Sequence, residues 1–205
     1  MRVVIPFDAT DPKTRLSAVL DASERQAFAV AMLRDVVAAV RETGHEPRVI
    51  ATGPVAVDAP TTVDDRPLTP LVDAAIDAGT PLAVVMADLA IATPAAIDRL
   101  FSADGDVVLA PGRGGGTNAM VVRTPAFRAD FHGTSIRDHR ANARSVGATA
   151  TELDSFRLAT DVDEPADLVE VLVHGDGAAA RWLVEAGFTV ALEGGRPRAV
   201  RENRG

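Results

Sequence analysis

The chain has 205 residues, of which 47% are hydrophobic, enough for one domain with a sizeable core. It has no cysteine, which excludes disulfides, thiolate metal sites and cysteine nucleophiles, and its net charge of -8 argues against a nucleic-acid partner. No apolar run approaches the roughly 20 residues of a membrane span, so we expect a soluble, cytoplasmic protein with no membrane partner.

Short β-branched runs alternate with helical patterns in the first half of the chain, which is typical of βαβ units. The run at 82–86 is continuously apolar, which predicts a strand in the middle of the sheet. The other elements predicted here are a strand over 2–7, a helix from a capping box at Asp21 to Gly44, a strand over 48–52 and a helix opened by Thr69 and Pro70 that ends near Gly79.

The second half continues the alternation and then changes in composition after His174. The sequence predicts a single α/β domain over 1–174, with a mixed, mostly parallel sheet flanked by helices, and a helix-hairpin appendage over 175–205. The predicted elements are a helix over 93–101, strands over 107–110 and 118–122, a helix over 136–146, a segment over 152–158 that contains extended structure, helices over 165–173 and 178–186, and hairpin strands over 188–192 and 198–201.

Four segments that follow predicted strands carry unusual polar residues, and the first is the loop over 8–16. It places Lys13, the only lysine among 21 basic residues, two positions before Arg15. A lysine and an arginine fork supply cations that match the oxygens of a triphosphate. The alternative is an ordinary solvated loop.

Two acidic segments are candidates for holding a metal ion. Asp88 follows the central strand, and alternation along an extended segment puts Asp161 and Asp163 on one side. Neighbouring carboxylates repel each other unless a cation joins them. The alternatives are that Asp88 caps a turn before Thr93 and that Asp163 caps the helix that begins at Pro165.

The fourth segment is the glycine cluster of 112–118, GRGGGTN. Bare backbone amides let a ligand approach closely, and Arg113 and Thr117 can contact an anion. The segment matches neither a Walker loop nor G-x-G-x-x-G, and the alternative is a flexible hairpin turn. His139 is either an ordinary helix residue or a substrate contact.

These segments, in this order, resemble the 2-phospho-L-lactate guanylyltransferase family of deazaflavin coenzyme biosynthesis. The matching elements lie between Ile5 and Leu168 and are IPF with KTRLS, Asp88-Leu89, APGRGGGTNAM, FHGTSIRDH and DVDEPADL. The resemblance implies a sugar-nucleotide-transferase-like fold, a homodimer, and transfer of GMP from GTP to 2-phospho-L-lactate, or to a phospho-acid such as phosphoenolpyruvate, with release of pyrophosphate.

The resemblance also implies roles for individual residues. Lys13 and Arg15 would be catalytic. The remaining assignments are nucleotide binding by Pro6, Lys13, Arg15, Leu16, Arg113 and Gly114, acceptor binding by Thr117, Asn118, Gly133 and Ser135, and Mg²⁺ binding by Asp88, Asp161 and Asp163. The chain departs from the family pattern at Ala90, where relatives commonly have proline, and at His132, where many have glycine.

Other classes of protein remain open. A sugar-phosphate or molybdopterin-type nucleotidyltransferase usually has a glycine-rich first loop, whereas this loop has no glycine. A glycosyltransferase of similar fold has D-x-D directly after the central strand, and a non-catalytic module would bind nucleotide without turnover. The segment 64–71 is a candidate for contacting guanine, and the acidic, lysine-poor composition indicates either a salty cytoplasm or a GC-rich genome.

Overall fold

The computed structural model of the protein describes residues 1–201, which are built around one seven-stranded sheet. The strand order is β3-β2-β1-β4-β6-β5-β7, and only β6 runs antiparallel to its neighbours, which confirms a mixed, mostly parallel sheet with β4 at its centre. The strands are β1 (Arg2–Phe7), β2 (Pro47–Ala51), β3 (Thr61–Val63), β4 (Leu82–Val85), β5 (Val107–Pro111), β6 (Thr117–Val122) and β7 (Ala150–Glu152).

Helices cover both faces of this sheet. Side chains of β4 alternate between two cores: Leu82 and Val84 face α2 and α4, while Ala83 and Val85 face the other helices. Burial on both faces explains why β4 is apolar throughout. The helices are α1 (Ala22–Glu42), α2 (Leu68–Asp77), α3 (Pro94–Ser102), α4 (Ser135–Ser145), α5 (Phe156–Ala159), α6 (Leu168–His174) and α7 (Ala178–Glu185).

Local capping signals correctly predicted where two helices begin. The Asp21 side chain accepts the Glu24 N–H and the Glu24 side chain accepts the Asp21 N–H, which completes the capping box of α1. Thr93 caps α3 by accepting the Ala96 N–H at 3.3 Å.

One sequence prediction about local structure is wrong and one is right only in part. The helix α2 begins at Leu68, and Thr69 is not its cap, because the Thr69 hydroxyl accepts the N–H of Phe131 from a distant loop at 3.0 Å. The segment 152–158 contains strand structure only at Glu152, the end of β7, because the Ser155 side chain accepts the Leu158 N–H and starts the one-turn helix α5. The short strands β3 and β7, at the two edges of the sheet, were not predicted.

The C-terminal segment packs against α1. Its strands β8 (Phe188–Glu193) and β9 (Arg196–Arg201) form a separate two-stranded sheet. The rings of Trp182 and Phe28 lie 5.3 Å apart between centroids, and the Asp35 carboxylate of α1 accepts N–H groups at the start of α7. The predicted boundary at residue 174 stays a prediction, and residues 202–205 of the predicted appendage lie outside the described residues.

No helix within residues 1–201 is both long enough and apolar enough to cross a membrane.

Candidate functional site

A cleft of about 360 Å³ opens at the carboxyl ends of β1 and β4. Strand β2 pairs with one edge of β1, and β4 pairs with the opposite edge of β1. The strand order therefore reverses direction at this point, and the cleft lies at a topological switch point. Ligands of open α/β sheets bind at such points. The residues that line it include Pro6, Lys13, Arg15, Asp88 and Asp163, all of them predicted site residues.

The Lys13 ammonium joins two of the acidic segments. Its Nζ lies 2.7 Å from Asp88 Oδ2 and 2.7 Å from Asp163 Oδ1, and Arg15 Nη1 lies 3.1 Å from Asp163 Oδ2. Burial lowers the pKa of Lys13, but the charges of Asp88 and Asp163 and their hydrogen bonds outweigh it, so the pKa is raised above its usual value. The lysine is therefore a fixed positive charge at neutral pH.

The backbone of Lys13 adopts a left-handed conformation, with φ 55° and ψ 43°, and it is the only non-glycine with positive φ among residues 1–201. This conformation costs a non-glycine residue about 1–2 kcal/mol, and strain of this kind concentrates at functional sites. Residues on both sides of Lys13 hold this backbone conformation in place. Leu16 is fully buried, and Arg25 binds the Asp11 carboxylate at 2.8 Å. Because the Leu16 side chain lies in the core, its predicted nucleotide contact is limited to its backbone.

The carboxylates of Asp88 and Asp161 are not fully compensated by neighbouring positive charges or hydrogen-bond donors. Asp88 Oδ1 is buried and has no hydrogen-bond partner within the described chain. Asp161 Oδ1 accepts a hydrogen bond from Asn118 Nδ2 at 3.0 Å, and the Val162 N–H donates to the Asp88 carbonyl, which holds the two acidic segments together. Burial raises the pKa of Asp161, and the charges of Asp88 and Asp163 raise it further. This edge of the site therefore favours an added cation.

The carboxylates of this site fit Mg²⁺ only if phosphate oxygens of the substrate complete its coordination. Across residues 1–201 no three His, Asp or Glu side chains are arranged to hold a metal ion by themselves. Mg²⁺, however, is commonly held by one or two carboxylates together with substrate phosphates. The unpartnered Asp88 Oδ1 and the nearby Asp161 fit that pattern, whereas both oxygens of Asp163 are bound by Lys13 and Arg15.

Asp163 is not a helix cap. The cap of the turn at Pro165 is Glu164, and its N–H and that of Asp163 both donate to Asp167 Oδ2 in a capping box. Asp167 Oδ1 also accepts a hydrogen bond from Arg113 Nη2 at 2.9 Å. The capping interpretation of Asp163 is therefore wrong, because a neighbouring carboxylate completes the turn and leaves Asp163 available to Lys13.

The glycine turn between β5 and β6 allows a close approach of Asn118. A Cβ atom on Gly112 would lie 2.5 Å from Asn118 Oδ1, so glycine is needed for Asn118 to reach Asp161. Gly115 has φ 82°, and Gly114 faces open space. The Arg113 side chain is about half exposed and points to Asp167, so the turn presents mostly backbone.

Behind this turn lies a buried, neutral hydrogen-bonded chain. The Asp130 N–H donates to His139 Nε2 at 3.0 Å, and His139 Nδ1 lies 2.8 Å from Thr117 Oγ1. The Ser135 hydroxyl donates to Thr117 Oγ1 at 3.3 Å. Burial lowers the pKa of His139 to about 4, against the opposing charges of Asp130 and Asp138, so the imidazole is neutral at pH 7. Gly133, with φ 54°, lies in the loop that leads into α4.

The structure thus divides the predicted residues into two groups. Lys13, Arg15 and the three aspartates form a charged half, and Thr117, Ser135 and His139 form a neutral half. Asn118, the residue after Thr117, binds Asp161. The lining of the cleft includes Asp88 and Asp163, whereas the predicted residues Asp161, Thr117, Asn118, Gly133 and Ser135 are not part of it. The segment 64–71 contributes no residue to the cleft lining. Sequence reasoning missed the supporting roles of Arg25 and Asp167; the second lies inside a recognised motif, whereas nothing marks Arg25 within α1.

The chain is similar over its whole length to proteins of known name. A relative from Haloferax volcanii is 62% identical over the whole of both chains, and one from Halomicrobium mukohataei is 60% identical over 98% of this chain and 100% of its own. Both carry the name 2-phospho-L-lactate guanylyltransferase.

Solved structures show a similar fold at low sequence identity. A nucleotide-diphospho-sugar transferase from Desulfovibrio desulfuricans superposes with a TM-score of 0.68 at 15% identity, covering 90% of this chain and 95% of its own. A nucleotidyl transferase from Methanothermobacter gives a TM-score of 0.59 at 15% identity, covering 84% and 97%. The family model described as "Guanylyl transferase CofC like" matches residues 1–203, and the chain belongs to this family of guanylyltransferases.

Proposed function

We propose that this enzyme transfers the guanylyl group of GTP to the phosphate of 2-phospho-L-lactate, or of a similar phospho-acid such as phosphoenolpyruvate, with release of pyrophosphate. The observation that carries the proposal is the Lys13 ammonium held between Asp88 and Asp163 in the cleft at the switch point. A single cation fixed among carboxylates suits a polyanionic nucleotide whose charge is shared with a divalent metal.

The nucleotide half of the site binds GTP through charge. The Arg15 side chain is 68% exposed, so its guanidinium can turn from Asp163 to a phosphate at small cost. Lys13 can exchange a carboxylate for a phosphate oxygen in the same way. Asp88 and Asp161 would hold Mg²⁺, which when bound offsets the repulsion between the two anionic substrates.

The acceptor half binds the phospho-acid through neutral donors. The hydroxyl groups of Thr117 and Ser135 and the backbone near Gly133 can donate to anionic oxygens. Asn118, the residue after Thr117 in β6, binds Asp161, so an acceptor held by Thr117 would lie near one of the carboxylates proposed to hold Mg²⁺.

The chemistry needs no general base. An oxygen of the ionised acceptor phosphate attacks the α-phosphorus of GTP, a new P–O–P bond forms, and the bond to the β-phosphate oxygen breaks as pyrophosphate leaves. His139 is a histidine near the acceptor residues with a buried side chain. Both of its ring nitrogens already have hydrogen-bond partners. Catalysis then comes from positioning and from neutralising charge.

We also propose that the enzyme works in the cytoplasm, where GTP is available, and as a homodimer. Apolar side chains at the C-terminal end support the second proposal, since Val184 is 61% exposed and Leu192 is 77% exposed. Sedimentation of the purified protein measures the dimer directly.

The function is tested with the purified protein, Mg²⁺ and GTP labelled at the α-phosphate. We expect label to pass to 2-phospho-L-lactate with stoichiometric pyrophosphate, and less efficiently from ATP or CTP. Parallel reactions contain phosphoenolpyruvate, lactate or no acceptor, and lactate is the matched control because it lacks the phosphate nucleophile. Release of pyrophosphate that does not depend on any phospho-acid would refute the proposal.

A further inference from the structure

The Thr117 hydroxyl lies at the end of a hydrogen-bonded chain that has no charged member at neutral pH. Thr117 and Ser135 are each 4% exposed, and His139 is fully buried. The His139 ring lies between Phe131 and Phe127, with ring centroids 4.8 and 5.8 Å away. These contacts fix the plane of the imidazole, so His139 cannot easily change partners.

Donor and acceptor counting then determines the state of each group. His139 Nε2 accepts the Asp130 N–H, so in the neutral ring Nδ1 carries the hydrogen and donates to Thr117 Oγ1. The Ser135 hydroxyl donates to the same oxygen. A hydroxyl oxygen accepts two hydrogen bonds and donates one, so both acceptor positions of Thr117 are filled. Its remaining capacity is to donate.

We infer that His139 is a positioning residue for the acceptor: it fixes the Thr117 hydroxyl as a hydrogen-bond donor to an anionic oxygen of the phospho-acid. The inference rests on the proposed function and extends it to a residue that does not touch substrate. A donor with no competing acceptor suits an anion and excludes a cationic or donor-only ligand.

The position of Thr117 supports this role. The next residue, Asn118, binds Asp161, and the Gly115 carbonyl in the preceding turn accepts the Ile136 N–H of α4. Thr117 therefore lies where the glycine turn, the start of α4 and the metal-binding carboxylate meet. A hydroxyl needed only for packing would not need two donors to orient it.

The test compares variants at both ends of the hydrogen bond. Acceptor kcat/KM is measured with 2-phospho-L-lactate at saturating GTP, and GTP affinity is measured by calorimetry. We expect His139→Leu and Thr117→Val each to lower acceptor kcat/KM about 10- to 100-fold, as for a hydrogen bond to a charged group, with unchanged GTP affinity. The double variant should be no worse than either single one, because both remove the same interaction.

A conservative pair separates positioning from folding. In His139→Asn the amide can donate from near the Nδ1 position, so we expect most of the acceptor kcat/KM to return, whereas in His139→Gln the amide reaches the Nε2 position and should not restore it. His174→Asn, a histidine outside the site, is the matched control and should behave as wild type.

Several outcomes would overturn the inference. These are wild-type acceptor kcat/KM in folded His139→Leu, additive losses in the double variant, or equal recovery in the Asn and Gln variants. A wild-type enzyme that used no phospho-acid would refute the proposed function, and the inference with it. Wild-type turnover together with an active His139→Leu variant would refute the inference alone.

Discussion

The charged and neutral halves of the site satisfy their polar groups in opposite ways. In the charged half, the Lys13 and Asp88 side chains are 13% and 24% exposed, one carboxylate oxygen is buried without a partner, and the lysine backbone is strained. In the neutral half, the hydroxyls of Thr117 and Ser135 and both nitrogens of His139 are hydrogen-bonded.

Under the proposed function, this difference reflects what each half has to bind. A triphosphate and a metal would replace existing ion pairs, so their site keeps charges that can exchange partners. A small acid is recognised by donors that are already oriented, so its site can be complete in advance. Substitutions in the charged half should therefore cost activity more than stability, whereas substitution of His139, the supporting residue of the neutral half, should cost both.

The largest expected effect is on catalysis by the charged half. Asp88→Asn and Asp161→Asn keep shape and hydrogen bonding but remove charge, and each should lower kcat by roughly 10²–10³, or about 2.7–4 kcal/mol. Because burial and neighbouring charges raise the pKa of Asp161, the Asp161→Asn variant should melt at the same or a higher temperature at pH 7. Turnover across a Mg²⁺ titration and thermal melting measure both.

Asp98→Asn, on the exposed surface of α3, is the matched control for these variants and should change neither quantity. Near wild-type turnover of the Asp88→Asn, Asp161→Asn double variant would contradict a metal role for both carboxylates.

The next effect concerns stability of the neutral half. His139 has a pKa of about 4 in the folded protein against about 6.5 when unfolded, so the unfolded state takes up the proton first as pH falls. The contribution of neutral His139 to the free energy of unfolding is fully present above pH 6.5. As the pH falls from 6.5 to 4, about 3 kcal/mol of that free energy is lost. Urea unfolding at pH 7, 5.5 and 4.5 should show this loss in wild type.

The same series on His139→Leu isolates the contribution of the imidazole. At pH 7 the variant should be less stable, since the Asp130 N–H loses its acceptor, and the difference from wild type should shrink toward pH 4.5. A constant difference across the series would show that the imidazole does not titrate as the structure implies.

A smaller effect is expected at Lys13. Lys13→Met leaves Asp88 and Asp163 without their shared cation and should lower the free energy of unfolding by about 1–3 kcal/mol, nearer the low end because Asp163 is 37% exposed. Relief of the left-handed strain is not expected, since methionine also has a Cβ atom. Added MgCl₂ should restore part of the loss by supplying a cation to the carboxylates.

Arg15→Met provides the comparison for Lys13, because Arg15 is 68% exposed and should change stability by less than about 0.5 kcal/mol while weakening GTP binding. Equal destabilisation by the two variants would argue against Lys13 as the central cation.

The smallest expected effect is a general one. The net charge of -8 should make molar KCl stabilising through screening, by about 1 kcal/mol, or about 2–4 °C in Tm for a chain of this size. The relatives from Haloferax and Halomicrobium fit a halophilic protein. Near pH 5, close to the pI of about 5.0, the salt effect should largely vanish. A Tm that does not respond to KCl at pH 7 would contradict the screening argument.

Prediction from sequence was most successful where the signal is local. The continuous apolar run of β4 predicted the central strand, and the Asp21 capping box predicted the start of α1. Motif positions also assigned Lys13, Asp88 and Asp163 to one candidate site, and the structure joins them. Lys13 and Asp88 follow the parallel strands β1 and β4, whose loops meet at one edge of the sheet, whereas Asp163 follows the helix α5.

Prediction was less successful where one side chain has several potential partners. Thr69 looked like a helix cap and Ser155 looked like part of an extended segment, yet the first binds a loop 62 residues away and the second starts a helical turn. Asp163 was a candidate cap for the helix at Pro165, and only the folded chain shows that the next residue, Glu164, is the cap and forms a capping box with Asp167.

The sequence by itself determined the fold class, the central strand, the family and the residues that carry charge at the site. Those features follow from periodicity, from capping and from motifs that are contiguous in the chain. The tertiary structure decided which cation joins which carboxylates, and that His139 orients Thr117. Such pairings join residues from distant segments, and their geometry depends on strand register and loop path, which local sequence does not specify.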